Sequence, residues 1–381
     1  MVKVGTRVCL RPDGLLNGEV LLSLARQVDR LRREGREVVL VSSGAVGMGR
    51  AVLRPPVGEE SLPTKQALAA LGQVELMNAY KQIYGFLHIP VAQVLLTRDD
   101  LGARERYLNA RHTLLTLLHH GVLPVINEND SVATDEIRFG DNDTLAAMVG
   151  ALLDAHAVVN LTSAPGLLAP DPDHPGQDRV LAEVREIGPE IEALDRGTTT
   201  AGGTGGLASK LQAARIATRA GAAMVIGPAS AEDVLLRLVA GEEVGTLFPP
   251  RGGRLRSRKR WLAVGARTRG TLVVDPGAAR ALALQGRSLL PVGITRVEGR
   301  FGAGDLVAVR NPEGREIGRG LANYGSEEIR LLLGQPTRRI PEILGYPGYE
   351  EVIHRDNLVL VEGPLPPDQE PKRDPCPKPP P

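Results

Sequence analysis

Two stretches of this chain carry polar groups at spacings suited to holding small anionic ligands. The first, Pro124 to Asp143, reads P-V-I-N-E-N-D-S-V-A-T-D-E-I-R-F-G-D-N-D. Its apolar opening, Val122 to Ile126, predicts a buried strand, and a dense run of carboxylates and amides from Asn127 onward predicts polar loops after it. Open α/β sheets bind ligands in the crevice beyond the carboxyl ends of their strands. An acidic surface loop is the plainer alternative. Against it stand Asn127, Asn129 and Asn142, whose amides add donors that solubility does not require and that a small zwitterion would use. The second stretch is T-T-T-A-G-G-T-G-G, Thr198 to Gly206, followed by a helical pattern that begins L-A-S-K. Glycine amides, the Thr204 hydroxyl, a helix amino terminus and Lys210 together make a phosphate-type arrangement, with a plain flexible loop as the alternative. Lysine occurs at only seven positions in a chain whose usual cation is arginine. A lysine beside glycines therefore points to a place that wants a compact charge. Lys3, next to the Gly5-Thr6 turn, is a second such lysine.

A phosphate donor and a carboxylate acceptor repel one another, so an enzyme joining them must neutralise both. Lys3 and Lys210 can neutralise a transferring phosphoryl group, and Asp143 is better placed to anchor the two lysines than to accept a proton. No general base is required, because a side-chain carboxylate with a reference pKa of about 4.3 is already ionised at neutral pH. Magnesium would arrive with the nucleotide, so no protein-held metal site is expected.

The elements that position these groups alternate between strand and helix. Val2 to Gly5 is a short strand. Leu21, Leu24, Val28 and Leu31 recur at helical spacing before Gly35. Val38 to Val41 is apolar on every residue, which predicts a strand covered on both faces of a parallel sheet. It runs into S-S-G-A-V-G-M-G-R, Ser42 to Arg50, whose glycines suit either close approach of a ligand or a tight strand-to-helix turn. Neither G-x-G-x-x-G nor G-x-x-x-x-G-K-S/T occurs there. Ser61 to Tyr80 and Arg104 to Leu118 read as helices and Val91 to Leu96 as a strand. Asp141 to Leu153 reads as a helix capped by Asp141 or Asp143, and Ala157 to Leu161 as a buried strand. Thr162 and Ser163 follow at its carboxyl end, and after the glycine-rich stretch Met224 to Gly227 is again a strand.

Composition narrows the remaining classes. Two cysteines far apart exclude a disulfide scaffold, and the seven histidines show no ligand spacing. A net charge of +1 predicts no large electrostatic field, and no apolar run has membrane-spanning length. The amino terminus lacks the segment order of a signal peptide, so a soluble cytoplasmic protein without membrane partners is expected. Pro249 to Lys259 breaks both periodicities, and short strands and turns follow it. Arg251 to Lys259 is basic, but the chain is only 3% aromatic and offers no stacking platform, which favours a linker surface over an RNA site. Proline makes the end of the chain too poor in apolar residues to fold.

With these motifs in order, residues Met1 to about Pro249 resemble the amino acid kinase family and, within it, the bacterial glutamate 5-kinases. The resemblance is carried by V-K-V-G-T from Val2, S-S-G-A-V from Ser42, L-L-T-R from Leu95 and R-E-R-Y-L-N-A-R from Arg104. P-V-I-N-E-N-D from Pro124, G-D-N-D from Gly140 and G-T-G-G-L-A-S-K-L-Q-A-A from Gly203 complete it. Residues from Gly265 to about Leu332 resemble a PUA domain. The resemblance implies a three-layer α/β sandwich with a central, mainly parallel sheet and a small β-rich barrel domain. It implies boundaries of 1–250 for the kinase domain, 251–264 for the linker, 265–363 for the PUA-like domain and its extension, and 364–381 for a disordered tail.

The same resemblance implies ATP-dependent phosphorylation of the L-glutamate side chain, with Mg2+, at the start of proline synthesis. Lys3, Lys210 and Asp143 would be catalytic. Ser43, Asn127, Asp130 and Asn142 would hold glutamate, while Gly5, Thr6, Thr162, Ser163, Thr204, Gly205 and Lys210 would serve the nucleotide. L-Proline would act as a feedback inhibitor, and the protein would form a homodimer or tetramer. The family's usual aspartate after Leu-Thr is Ser163 here, its later tyrosine is Leu168, and its serine after Gly-Thr is Arg7, which leaves the base contacts and the role of Arg7 open. The alternatives are a kinase of the same fold acting on N-acetylglutamate or aspartate, and a non-catalytic RNA-binding protein.

Overall fold

A computed structural model describes residues 1–54, 61–133, 141–174, 176–195, 206–251 and 268–360. The chain divides into two compact units, Met1–Arg267 and Thr268–Pro381. The first opens with β1 (Val2–Val4), α1 (Thr6–Cys9), α2 (Gly18–Arg33), β2 (Leu40–Ser42), α3 (Ala45–Leu53), α4 (Leu62–Gly85) and β3 (Val91–Leu96). It continues through α5 (Arg98–Gly102), α6 (Arg104–His119), β4 (Leu123–Glu128), α7 (Asn142–Leu153), β5 (Ala157–Thr162), β6 (Leu168–Pro170) and β7 (Asp178–Val180). α8 (Pro189–Glu192), α9 (Leu207–Arg219), β8 (Ala223–Pro228), α10 (Val234–Val239) and β9 (Thr246–Phe248) complete it.

The main sheet has the order β3-β4-β2-β1-β5-β8-β9. Every neighbouring pair is parallel except β8 and β9. β1, β2 and β4 are buried along their whole length, which is why their sequences are apolar without alternation. Successive side chains still point to opposite faces. Val2, Val4, Leu40, Val125, Val159 and Leu161 form one core with Leu21, Leu24, Val28 and Leu31 of α2 and with Leu76 and Tyr80 of α4. Lys3, in the middle of β1, therefore faces the other side, where α7 and α9 lie.

Several element boundaries differ from those read in the sequence. β4 runs on through Asn127 and Glu128, because Leu95 and Leu96 of β3 pair with them and complete the parallel ladder. Those two polar residues therefore sit on a strand end rather than in a loop. β2 starts at Leu40, since Val38 and Val39 are buried ahead of the strand without belonging to it. α4 runs on to Gly85, with Ser61 as its cap accepting from the Thr64 amide at 3.4 Å. The proline- and glycine-rich segment after β5 contains the small antiparallel pair β6–β7.

In Ser42 to Arg50 the glycines serve packing. Gly44 takes φ +110°, and a Cβ on Gly49 would stand 1.9 Å from the Leu68 carbonyl oxygen. A Cβ on Gly72 would likewise stand 1.9 Å from the Ala45 carbonyl oxygen, so α3 and α4 meet through these two glycines.

The second unit contains β10 (Gly270–Val274), α11 (Pro276–Gln285), β11 (Ile294–Gly299), β12 (Leu306–Arg310) and β13 (Glu316–Leu321). α12 (Ser326–Leu332), α13 (Ile340–Leu344) and β14 (Leu358–Leu360) follow. Its five strands form a mixed sheet in the order β11-β10-β12-β13-β14, over a core that includes Leu272, Val274, Leu282, Val307 and Ile329. Asp275 caps α11 by accepting from the Ala278 amide at 2.7 Å, with Pro276 in the first turn. The expected linker beyond Arg251, the basic residues Arg254 to Lys259 and the tail 364–381 lie outside the described residues. Among the described residues no helix is long and apolar enough to cross a membrane.

Candidate active site

The site forms where β1, β2, β4 and β5 end and α7 and α9 begin. Asp141 precedes α7 and accepts from the backbone amides of Asp143 at 2.7 Å and Thr144 at 2.9 Å. This cap fixes the first turn and so sets the direction of the next two side chains. Asn142 turns back across the sheet. Its Nδ2 donates to the Ser42 carbonyl at 2.7 Å, the Asn127 Oδ1 at 2.8 Å and the Ser43 Oγ at 2.9 Å. Asn127 in turn donates to Gln73 Oε1 of α4 at 2.9 Å, and Gln73 donates to Gln93 Oε1 of β3 at 3.1 Å. The result is a chain of amides ending at a serine hydroxyl, largely buried, with each member holding the next in one rotamer.

Asp143 takes the opposite direction, toward the sheet. Its Oδ1 meets the Lys3 ammonium, and its Oδ2 accepts from Lys210 Nζ at 3.1 Å and from Ser209 Oγ at 3.3 Å. Its side chain is 0% exposed, against 9% for Lys3 and 19% for Lys210. Burial alone would push the Asp143 carboxyl up. The charges of Lys3 and then Lys210, with hydrogen bonds from both, hold it down to about 2. It is therefore an anion fixing two cations, not a proton acceptor. Burial, then the nearby Asp143 charge, raises the carboxyl of Asp141.

A cavity of about 370 Å³ opens beside this cluster. Lys3, Lys210, Gly5, Thr6, Ser43, Asn142, Thr162 and Ser163 all line it. Leu167, Leu168, Leu194, Leu207 and Ile226 give it an apolar wall, and Asp178 and Asp195 place single carboxylates on it. The space suits a ligand with one flat apolar part and one anionic part. Gly206, the residue before α9, lines it too, whereas Thr204 and Gly205 lie outside the described residues. Asn127 stands behind Asn142 and acts through it. Asp130, in the half-exposed turn after β4, does not line this cavity. Arg7 does line it.

Sequence reasoning missed Gln73, Ser209, Asp178 and Asp195. Gln73 left a usable signal: it sits in register with Ala69, Leu76 and Tyr80 on the buried stripe of α4, where a glutamine needs a partner. Asp178 and Asp195 left none, because their place at the cavity depends on the β6–β7 pair and on the turn after α8, which no local pattern foretells.

Residues 1–227 match the amino acid kinase family, and residues 270–344 match the PUA domain. The glutamate 5-kinase of Caldanaerobacter subterraneus subsp. tengcongensis is 47% identical over 362 residues, covering 95% of this chain and 97% of that protein. The glutamate 5-kinase of Herpetosiphon aurantiacus is 49% identical over 359 residues, covering 94% and 97%. That of Pseudomonas putida is 46% identical over 361 residues, covering 95% and 97%.

Proposed function

The chain belongs to the amino acid kinase family, and from that premise we propose that it transfers the terminal phosphoryl group of ATP to the side-chain carboxylate of L-glutamate. The product is L-glutamyl 5-phosphate, and the reaction opens proline biosynthesis. The observation that carries this reading is one buried carboxylate holding two lysines against a partly apolar cavity that Asn142 and Ser43 also line. A nucleotide fits the cavity and a small zwitterion fits the amides, and the lysines stand where the two would meet.

In the reaction, an oxygen of the glutamate carboxylate bonds to the γ-phosphorus as the bond from that phosphorus to the bridging oxygen breaks. ADP leaves with that oxygen and its electron pair. Lys3 and Lys210 take up charge on the transferring group, and Asp143 keeps both ammonium groups aimed at it. Asn142 and Ser43 orient the acceptor, with Asn127 and Gln73 holding Asn142 in place. Gly5 and Thr6, with Thr162, Ser163 and Gly206, line the nucleotide side, joined in this assignment by Thr204 and Gly205.

Magnesium fits as part of the nucleotide. Asp141, Asp178 and Asp195 line the cavity. These carboxylates would suit a hydrated ion brought in with the nucleotide, which would supply neutralisation of phosphate charge.

The reading is tested by measuring ADP release with ATP and magnesium across glutamate, aspartate and N-acetylglutamate. Glutamate should give the highest kcat/KM. A preference for either of the others would replace it as the acceptor.

Asp130 is assigned to the ammonium of free glutamate. Asp130→Asn keeps the shape but removes a charge-assisted hydrogen bond, so glutamate should bind about 30-fold to 100-fold more weakly and ATP within about twofold of the parent. Calorimetric titration that finds both ligands weakened equally contradicts the assignment. L-Proline carries the α-carboxylate and the ammonium without an acceptor carboxylate, so it should inhibit competitively and be relieved by excess glutamate. Initial rates indifferent to millimolar proline would remove this claim.

A further inference from the structure

Asn160 lies in the middle of β5, in register with Lys3 on one side and Ile226 of β8 on the other. Residues in register on parallel strands project to the same face. Lys3 and Ile226 both line the cavity, and Asn160 stands in the row between them. It is 1% exposed, and among the described residues neither its Nδ2 nor its Oδ1 has a hydrogen-bond partner. A buried amide with neither atom satisfied is costly, and the position would take a leucine or valine as its neighbours on β5 do.

Asp143 Oδ2 accepts two hydrogen bonds, from Lys210 and Ser209. Oδ1 is met by the Lys3 ammonium, and no second donor to it is found among the described residues. During phosphoryl transfer Lys3 must turn some of its charge from this carboxylate to the phosphoryl oxygens, which leaves Oδ1 buried and short of a donor. An amide beside the Lys3 stem, with its N–H groups unused, is the complement of that need.

We propose that Asn160 is a positioning residue for phosphoryl transfer, its Nδ2 donating to Asp143 Oδ1 as Lys3 turns toward the transferring phosphoryl group. The inference rests on the phosphotransferase reading above and does not depend on which carboxylate is the acceptor. Asn160 touches no substrate. It keeps Asp143 satisfied and charged while Lys3 is drawn away, so its contribution appears when the phosphoryl group is in transit and not when substrates bind.

The full-length chain carrying Asn160→Leu or Asn160→Ala tests this. Both variants should lose about tenfold in kcat, with KM for glutamate and for ATP within about twofold of the parent. The leucine variant should melt at or above the parent temperature, because an apolar side chain of similar size removes an unsatisfied amide. The alanine variant leaves more room and decides the matter should leucine fail to fold. Calorimetric titration with MgADP plus aluminium fluoride, a mimic of the transferring phosphoryl group, reads the same effect without an acceptor. Its affinity should fall about tenfold in the variants while MgADP alone stays within about twofold. A folded variant with parental kcat, or with parental affinity for the fluoride complex, overturns the proposal. A parent that shows the fluoride-dependent difference from its variants but no glutamate-dependent turnover counts against the acceptor assignment and leaves the role of Asn160 standing.

Discussion

Replacing Lys210 with alanine is expected to lower turnover by about 10²-fold or more, with nucleotide binding much less affected. The lysine sits in the first turn of α9, four-fifths buried, and its ammonium is held by Asp143 at 3.1 Å. Charge on the transferring group is most exposed to it in the transition state, when the phosphoryl is bound fully to neither oxygen, so its loss falls on kcat. Lys210→Arg is not a rescue, since a planar guanidinium cannot occupy the place of a compact ammonium between Asp143 and the phosphoryl group. Initial rates at saturating ATP and glutamate provide the check. Turnover within about threefold of the parent would make Lys210 a surface residue that happens to pair with Asp143.

Asp143→Ala should be as damaging to turnover and should cost stability as well. Removing the carboxylate takes away the anion that sits between Lys3 and Lys210, in a place where each lysine is largely buried. Breaking such a pair from one side costs about 3 to 5 kcal/mol, because the remaining charge stays desolvated. A pH signature accompanies this. The folded-state carboxyl is lowered from 3.8 to about 2, so its contribution to stability is fully present above 3.8 and is lost as the pH falls through about 2. The parent should therefore lose more stability than the variant across that window, by an amount on the order of 2 kcal/mol. Denaturation followed at a series of pH values reads this directly. Equal acid sensitivity in the two proteins would mean that Asp143 is not held down by the lysines.

Much of the scaffold was legible because burial and periodicity coincide. Leu21, Leu24, Val28 and Leu31 mark the inner face of α2, and the apolar runs of β2 and β5 announce strands covered on both sides. The cap of α7 was legible down to two aspartates, Asp141 or Asp143, ahead of L-A-A-M-V, and the structure places Asp141 there. What local pattern cannot supply is the partner of each polar group. The polar side chain of Asn127 suggests a loop, yet its backbone completes a ladder with β3, a strand far away in sequence. The glycines after β2 looked equally suited to a ligand and to a turn. Their use depends on α4, whose Leu68 carbonyl leaves no room for a Cβ at Gly49.

The same limit applies to the site. Lys3, Asp143 and Lys210 stood out one by one, as rare lysines near glycines and an acid at a helix start. Their convergence depends on β1 lying beside β5 and on α7 and α9 sharing one face of the sheet, which no window of sequence contains. Gln73 and Asn160 each belong to an element whose pattern is apolar, and a pattern reading absorbs them into the core. Both are polar groups that burial obliges to find partners, so they become informative once burial is known.

The central claim is that a carboxylate, and not a hydroxyl or a nitrogen, receives the phosphoryl group at the Lys3–Asp143–Lys210 cluster. An acyl phosphate reacts with hydroxylamine to give a hydroxamate, whereas phosphate esters do not. Incubating the full-length protein with ATP, magnesium, L-glutamate and hydroxylamine, and identifying the product by mass, therefore tests the claim most directly. The account predicts γ-glutamyl hydroxamate formed in step with ADP, and its near-abolition in Lys210→Ala. ADP released at the parent rate with no hydroxamate, or hydroxamate formed undiminished by the Lys210 variant, would contradict it.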